Sequence, residues 1–351
     1  MAFPRFDRSD VLFLLLPLSL YLAWSGADRL LVFIAATLSL APIARNVGKA
    51  TESIVVQANP AVAGIASATF GNIVEIVIAI TAINQGLFEL VKATIIGSII
   101  ANILLLIGLA VFFGGLRFKE QTFNRQTAGV SSTMLIIAVA GISIPSAFAI
   151  ATGKNAAFLE VAVAGIMAAV YVAGLVFAFK THKHLFDVAD TYRQERIRPV
   201  WDMRKSLLVL GVCITLAAVA SDLLVRTIEP AALQAGISQA FIGITIIAVL
   251  SNLTEMSAAI SMALRNKLDI SLEIGTSSAT QIALFVLPIL VFTSHLIGKP
   301  FSPVFSLFQI IAMFFAVMIV NYLSADGRCN WLEGAQLITV YLILAAAFYF
   351  V

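Results

Sequence analysis

Apolar runs close to the ~20 residues a helix needs to cross a bilayer recur along the whole chain, and they constrain its fold more than any other feature. They lie near 11–24, 29–44, 61–84, 88–113, 127–149, 155–180, 205–228, 235–264, 270–296, 303–325 and 331–350. Eleven such runs predict an all-α polytopic membrane protein of about eleven transmembrane helices. A soluble chain of 351 residues would still need a polar coat around its core. Here 60% of residues are hydrophobic and 12% charged, against roughly 45–50% and 25% in soluble domains. That balance excludes a soluble globular protein.

The first run, Val11–Trp24, has the length of a signal-peptide core. No convincing small-residue cleavage site follows it, and Asp7 and Asp10 make the leading segment mixed rather than basic, so a retained first helix is expected. Cys213 and Cys329 stand alone, which points to neither a disulfide framework nor a zinc site. Between the second and third runs, Arg45, Lys49 and Glu52 fall on helical spacing within 45–58, predicting a short helix in the membrane interface. The long polar stretch Lys180–Lys205 reads as a connector between two halves.

Charge placement supports the segmentation. With eleven spans, 17 of the 22 Lys and Arg residues fall on the side of the N-terminus and 5 on the other. Basic residues collect on the cytoplasmic face, so the N-terminus is expected in the cytoplasm and the C-terminus outside.

The chain also repeats itself. Gly71-Asn72-Ile73-Val74-Glu75 is echoed 180 residues later by Ser251-Asn252-Leu253-Thr254-Glu255, each continuing to an Ala-Ile pair. Ile96-Gly97-Ser98 is echoed by Ile274-Gly275-Thr276, and Phe158-Leu159-Glu160 by Trp331-Leu332-Glu333. These echoes divide the chain into a first helix (1–28), a five-helix repeat (29–180), a cytoplasmic connector (181–204) and a second five-helix repeat (205–351). Five spans is an odd number, so the second repeat enters the membrane from the opposite side. Inverted repeats place a substrate site near the midplane where they meet.

Glu75 and Glu255 then carry the chemistry. An acidic residue near the bilayer centre costs roughly 2.5–3.5 kcal/mol on insertion scales, so it marks function by default. Asn72 and Glu75 share a helix face at i and i+3, as do Asn252 and Glu255. A purely structural role in holding helices together does not explain two carboxylates at symmetric positions. Empty and ionised, such a pair repels itself, and protons or a cation relieve it. A hard ion such as Ca2+ takes about 6–8 oxygens, which two glutamates and the Asn carbonyls begin to supply. Soft ligands and mid-span histidines are missing, which argues against copper and zinc. Metal binding needs the deprotonated form, so Ca2+ and protons displace one another. Ser98, Asn102, Ser277, Ser278 and Gln281 on the following helices are candidate secondary oxygen ligands, with close helix packing as the competing role. Glu52 is a candidate for gating, with ordinary surface amphipathicity as the competing role, and Asp222 for an ion relay, with a solvated helix end as the favoured role, while Glu89, Asp269 and Glu273 are expected at the interface.

These motifs resemble the paired alpha-repeats of the calcium/cation antiporter superfamily, specifically its cation/proton exchanger branch. The likeness extends through Gly48-Lys49-Ala50-Thr51-Glu52-Ser53, Gly97-Ser98 to Asn102, Asn266-Lys267-Leu268-Asp269-Ile270 and Ser278 to Gln281, nearly the whole chain. It implies an eleven-helix fold and a secondary transporter in which Glu75 and Glu255 bind Ca2+ and protons alternately. Three features depart from the family pattern: Ser251 replaces the usual Gly, Met256 stands where many relatives carry His, and the connector is net basic where several relatives carry an acidic segment.

The resemblance implies no enzyme activity and no resident cofactor, since Ca2+ is cargo. The expected partners are Ca2+, H+ and the lipid bilayer of a prokaryotic plasma membrane. A homo-oligomer is left open, and nothing points to nucleic acid. Alternatives are a sodium-coupled calcium exchanger of the same superfamily, whose Ser/Thr- and Pro-containing stretch before the Glu is missing here, and a cation channel.

Overall fold

The computed structural model describes residues 12–58, 60–154, 157–178 and 199–350. Most of the expected connector, 181–204, therefore lies outside the described residues, as do residues 1–11.

Every apolar run carries a helix. In chain order these are α1 (Leu15–Trp24), α2 (Arg29–Gln57), α3 (Pro60–Gly71), α4 (Ile73–Asn84), α5 (Phe88–Phe118), α6 (Arg125–Thr152) and α7 (Ala157–Val176). They continue with α8 (Met203–Ala235), α9 (Gln239–Ser251), α10 (Leu253–Ala263), α11 (Leu268–Leu296), α12 (Leu307–Leu323) and α13 (Trp331–Tyr349). By length and composition seven described helices qualify to cross a membrane, or up to nine when the bent pairs α3–α4 and α9–α10 each count as one span. Two shorter apolar helices, Leu12–Trp24 and Leu307–Leu323, occupy the remaining runs.

Local chemistry sets where these helices begin and end. Asp28 caps α2 by accepting from the Leu30 amide at 2.8 Å, and Asn124 caps α6 by accepting from Gln126 and Thr127. Gly153 ends α6 in the left-handed region (φ 65°) that glycine enters without steric penalty. Ser306 with Gln309, and Asn330 with Glu333, form reciprocal capping boxes on α12 and α13, satisfying donors that a helix start otherwise leaves open.

The packing is layered by burial. In the most apolar window of α5, 83% of residues are inside the protein, against 22% for α7 and α13, so α5 is central and the other two are peripheral. α8 runs along α2 and α4, and α13 along the second half of α5. Large apolar side chains such as Leu31, Leu208, Phe315 and Ile343 face outward, as a lipid-exposed surface requires.

Two expectations change. Segment 45–58 is no separate interfacial helix: α2 runs unbroken through it to Gln57, with Ala50, Thr51 and Ser53 buried. Its charged residues line an internal cavity, and a helix face wetted by a cavity has the same spacing as one wetted by headgroups. Secondly, the all-α bundle carries a small ribbon. β1 (Glu120–Thr122) pairs antiparallel with β2 (Arg328–Asn330), Gln121 opposite Cys329. Behind the ribbon Gln121 is 2% exposed, and its amide donates to the Ala263 carbonyl (2.9 Å) and to Asn266 Oδ1 (3.0 Å). Gln121→Ala strands both acceptors, so unfolding in detergent should show a loss of about 1–3 kcal/mol; an unchanged midpoint would mean the clamp bears no load.

Candidate functional site

Two helices break at matching places. α3 and α4 meet at Asn72 with a bend of 48°, and α9 and α10 at Asn252 with a bend of 56°. Both asparagines hold nearly the same non-helical backbone, φ −106°, ψ 19° and φ −92°, ψ 10°, close to the sparsely allowed bridge region where many functional residues sit. Each break puts a glutamate in the first turn of the following helix, Glu75 on α4 and Glu255 on α10. The break also frees backbone groups, which are tolerated at membrane depth only inside protein or beside a cavity.

The asparagines cross-link the two halves reciprocally. Asn72 donates to Gln281 Oε1 on α11 at 2.8 Å. Asn252 donates to Ser98 Oγ on α5 at 3.3 Å and to its own helix at the Ala248 carbonyl, 2.7 Å. Asn102 donates to Asn252 Oδ1 (3.0 Å) and to Ser278 Oγ (2.8 Å), while Gln281 donates to Ser277 (3.1 Å). Asn102 lies in a π-helical stretch of α5, Ala101–Leu106, and Gln281 directly precedes another in α11, Ile282–Val286. Such wider turns redirect side chains and recur at functional sites. The structure thus brings together Asn72, Asn252, Ser98, Asn102, Ser278 and Gln281.

Several oxygens at this junction are left over. Glu75 Oε2, Glu255 Oε2, Asn102 Oδ1 and Thr254 Oγ1 are buried without a hydrogen-bond partner. Native interiors satisfy the large majority of such atoms, so a group of orphaned acceptors is chemically suited to a cation. Glu75 and Glu255 each stand three residues past the asparagines that join this network. Among the described residues no three His, Cys, Asp or Glu side chains cluster, so a cation here would draw on carboxylate, amide and hydroxyl oxygens together.

The two glutamates differ in access. A cavity of about 1890 Å3 reaches Glu255, Asn72, Ser278 and Gln281. It extends past Lys49 and Glu52 toward the face where α2 ends and α6 begins. Glu75 is 5% exposed and does not line it. On the opposite face a smaller pocket of about 680 Å3 lies beside Asp222. Asp222 pairs with Arg226 (2.8 Å) and accepts from Gln85 (3.2 Å), so it is not brought to the glutamates, whereas Glu52 stands in the wall of the large cavity.

Three residues enlarge the set read from sequence. Ser251 is buried directly before Asn252 at the break, and its Oγ accepts from the Asn252 side-chain amide at 3.4 Å, so the hydroxyl that departs from the family pattern sits at the junction itself. Thr254, one turn from Ser251 on the other side of the break, supplies an orphaned oxygen. Glu273, expected at the interface, instead lines the cavity and accepts from Ser131 on α6 at 2.9 Å.

Broken helices that meet across the bundle at paired carboxylates, with a cavity open to one face, define a polytopic membrane transporter. The chain belongs to the sodium/calcium exchanger protein family, whose model matches residues 29–180 and 205–350. It is 36% identical to the Ca2+/H+ antiporter of Aphanothece halophytica over 97% of this chain and 95% of that one. The Ca2+/H+ antiporter ChaA of Bacillus subtilis is 37% identical, over 93% of each chain. Among solved structures, native YfkE superposes with a TM-score of 0.85 at 33% identity, covering 97% of this chain and all of that one. The H+/Ca2+ exchanger CAX, at 14% identity and a TM-score of 0.71 over 98% of this chain and 91% of that one, shares the fold.

Proposed function

We propose that this protein exchanges Ca2+ for H+ across a membrane by alternating access, with Glu75 and Glu255 holding either the cation or protons. The observation that carries the reading is the pair of buried carboxylates with orphaned oxygens at two matching helix breaks. Relatives named as Ca2+/H+ antiporters over nearly the full chain agree with it.

The physics follows from that pair. Ionised and empty, the site carries two neighbouring negative charges away from bulk water. Ca2+ neutralises both, and so do two protons. Each carboxylate must shed its proton to ligate the metal, so the two cargoes exclude each other. A site that stays neutral when loaded can move between faces, while the empty, charged site is held back, and that makes an exchanger rather than a leak. Asn72, Asn252, Asn102, Ser98, Ser278 and Gln281 serve as secondary ligands or as the frame that holds the glutamates. With the basic face in the cytoplasm, the large cavity opens inward, Glu255 is the glutamate that meets cytoplasmic Ca2+, and the gradient of protons drives Ca2+ out of a prokaryotic cell. The first helix and the two five-helix halves, 29–180 and 205–351, give the inverted symmetry this cycle needs.

Proteoliposomes with an acid interior test the reading. The purified chain should accumulate Ca2+ only while the pH gradient lasts, with no response to Na+. Uptake that ignores pH and follows a Na+ gradient would assign the protein to sodium-coupled exchange instead. A steady Ca2+ current without exchange would make it a channel.

A further inference from the structure

Four carboxylates line the large cavity: Glu52, Glu255, Asp269 and Glu273. At the mouth, the first-turn residue Asp269 is engaged by the backbone amide of Asn124, which ties α11 to the start of α6. Glu273 stands one helical turn deeper. Its Oε2 accepts from Ser131, and Oε1 has no protein partner among the described residues. Thr276 and Ser277, then Thr280 and Gln281, follow at the helical spacing of three to four and seven to eight residues, and all four line the same cavity. Side chains at these intervals share one face, so a row of oxygens runs along α11 from Glu273 to Gln281. There it meets Asn72 through the 2.8 Å bond and enters the two-glutamate junction.

We propose that Glu273 is a second cation-binding residue, a way-station that captures a hard divalent cation in the cavity and passes it along this row to Glu255. The inference rests on the exchange reading above and adds a site to it. Eight residues at 1.5 Å rise separate Glu273 from Gln281 by about 12 Å. Ca2+ binds oxygen at about 2.3–2.6 Å, so Glu273 cannot share a coordination sphere with the junction and must act as a separate station. A carboxylate within a membrane span is costly to keep unless it serves the ion path. Arg45, Lys49 and Arg125 also line the cavity, so the incoming cation passes positive charge on the way in. A fixed carboxylate beyond the mouth offsets that charge and raises the local cation concentration before Glu255.

The test measures KM for Ca2+ from each face separately, in proteoliposomes sorted by orientation. Glu273→Gln keeps the acceptor for Ser131 and removes only the charge. It should raise the cavity-side KM roughly tenfold with maximal rate and opposite-face KM unchanged. Glu273→Ser should do the same, and Glu273→Asp should restore the wild-type value. An unchanged cavity-side KM in both neutral variants would overturn the way-station. So would a KM raised equally from both faces, or a loss of maximal rate alone, either of which marks a structural role. Wild-type protein that exchanges no Ca2+ would instead overturn the exchange reading beneath it.

Discussion

Glu255→Gln and Glu75→Gln should each reduce proton-driven Ca2+ uptake by about 100-fold or more. Gln matches Glu in shape, so the helix breaks and the cross-links through Asn72 and Asn252 should persist. What disappears is one of two negative charges facing a dication in a poorly hydrated site. Removing one partner of a buried charge pair typically costs about 3–5 kcal/mol, and each 1.4 kcal/mol is tenfold in binding. The two variants should differ in what remains. Glu255 lines the cavity and Glu75 does not. The Glu75 variant therefore keeps weak Ca2+ binding from the cavity face, while the Glu255 variant loses it. Equal residual binding in both would contradict the asymmetry of access.

The second large effect is at a helix crossing. Gly97 on α5 sits against the backbone of Ile244 in the π-helical part of α9, and a Cβ there would lie 2.6 Å from the Ile244 carbonyl oxygen. Small residues let membrane helices approach this closely. The neighbouring residue, Ser98, is the one that accepts from Asn252. Gly97→Val must push α5 and α9 apart and pull Ser98 from Asn252. Over-packing of this kind costs about 1–3 kcal/mol or more. The variant should lose transport and melt well below wild type in detergent, and fluorescence-detected gel filtration against temperature would show it. A variant with normal melting and normal uptake would mean that this crossing is not rigid.

The paired glutamates were legible because membrane burial makes a carboxylate conspicuous, and because the repeat printed the same Asn–Glu spacing twice. Their surroundings were legible only as candidates. Nothing in the order of residues says that Asn102 reaches both Asn252 and Ser278, since those bonds span more than 140 positions. Glu273 and the end of α2 were misplaced for one common reason. Hydropathy registers that a helix face is wet but not which water wets it, so a cavity wall and a membrane interface look alike. The ribbon of β1 and β2 left no trace, because three-residue strands are too short for an alternating pattern. Asp222 was a relay candidate because it is an acid within an apolar run, but the stronger reading was a solvated helix end, and its half-exposed ion pair agrees with that. Its pairing with Arg226 four residues on was visible in the spacing, and that bond, together with Gln85, holds it on the far face.

The most direct test of competition at the two glutamates is proton release on Ca2+ binding, read with a pH dye in weakly buffered detergent solution. Wild-type protein should release protons as Ca2+ is added and take them up again when a chelator removes it. The Glu75→Gln, Glu255→Gln double variant should release none. Calcium binding to wild type without proton release, or undiminished release from the double variant, would contradict the account.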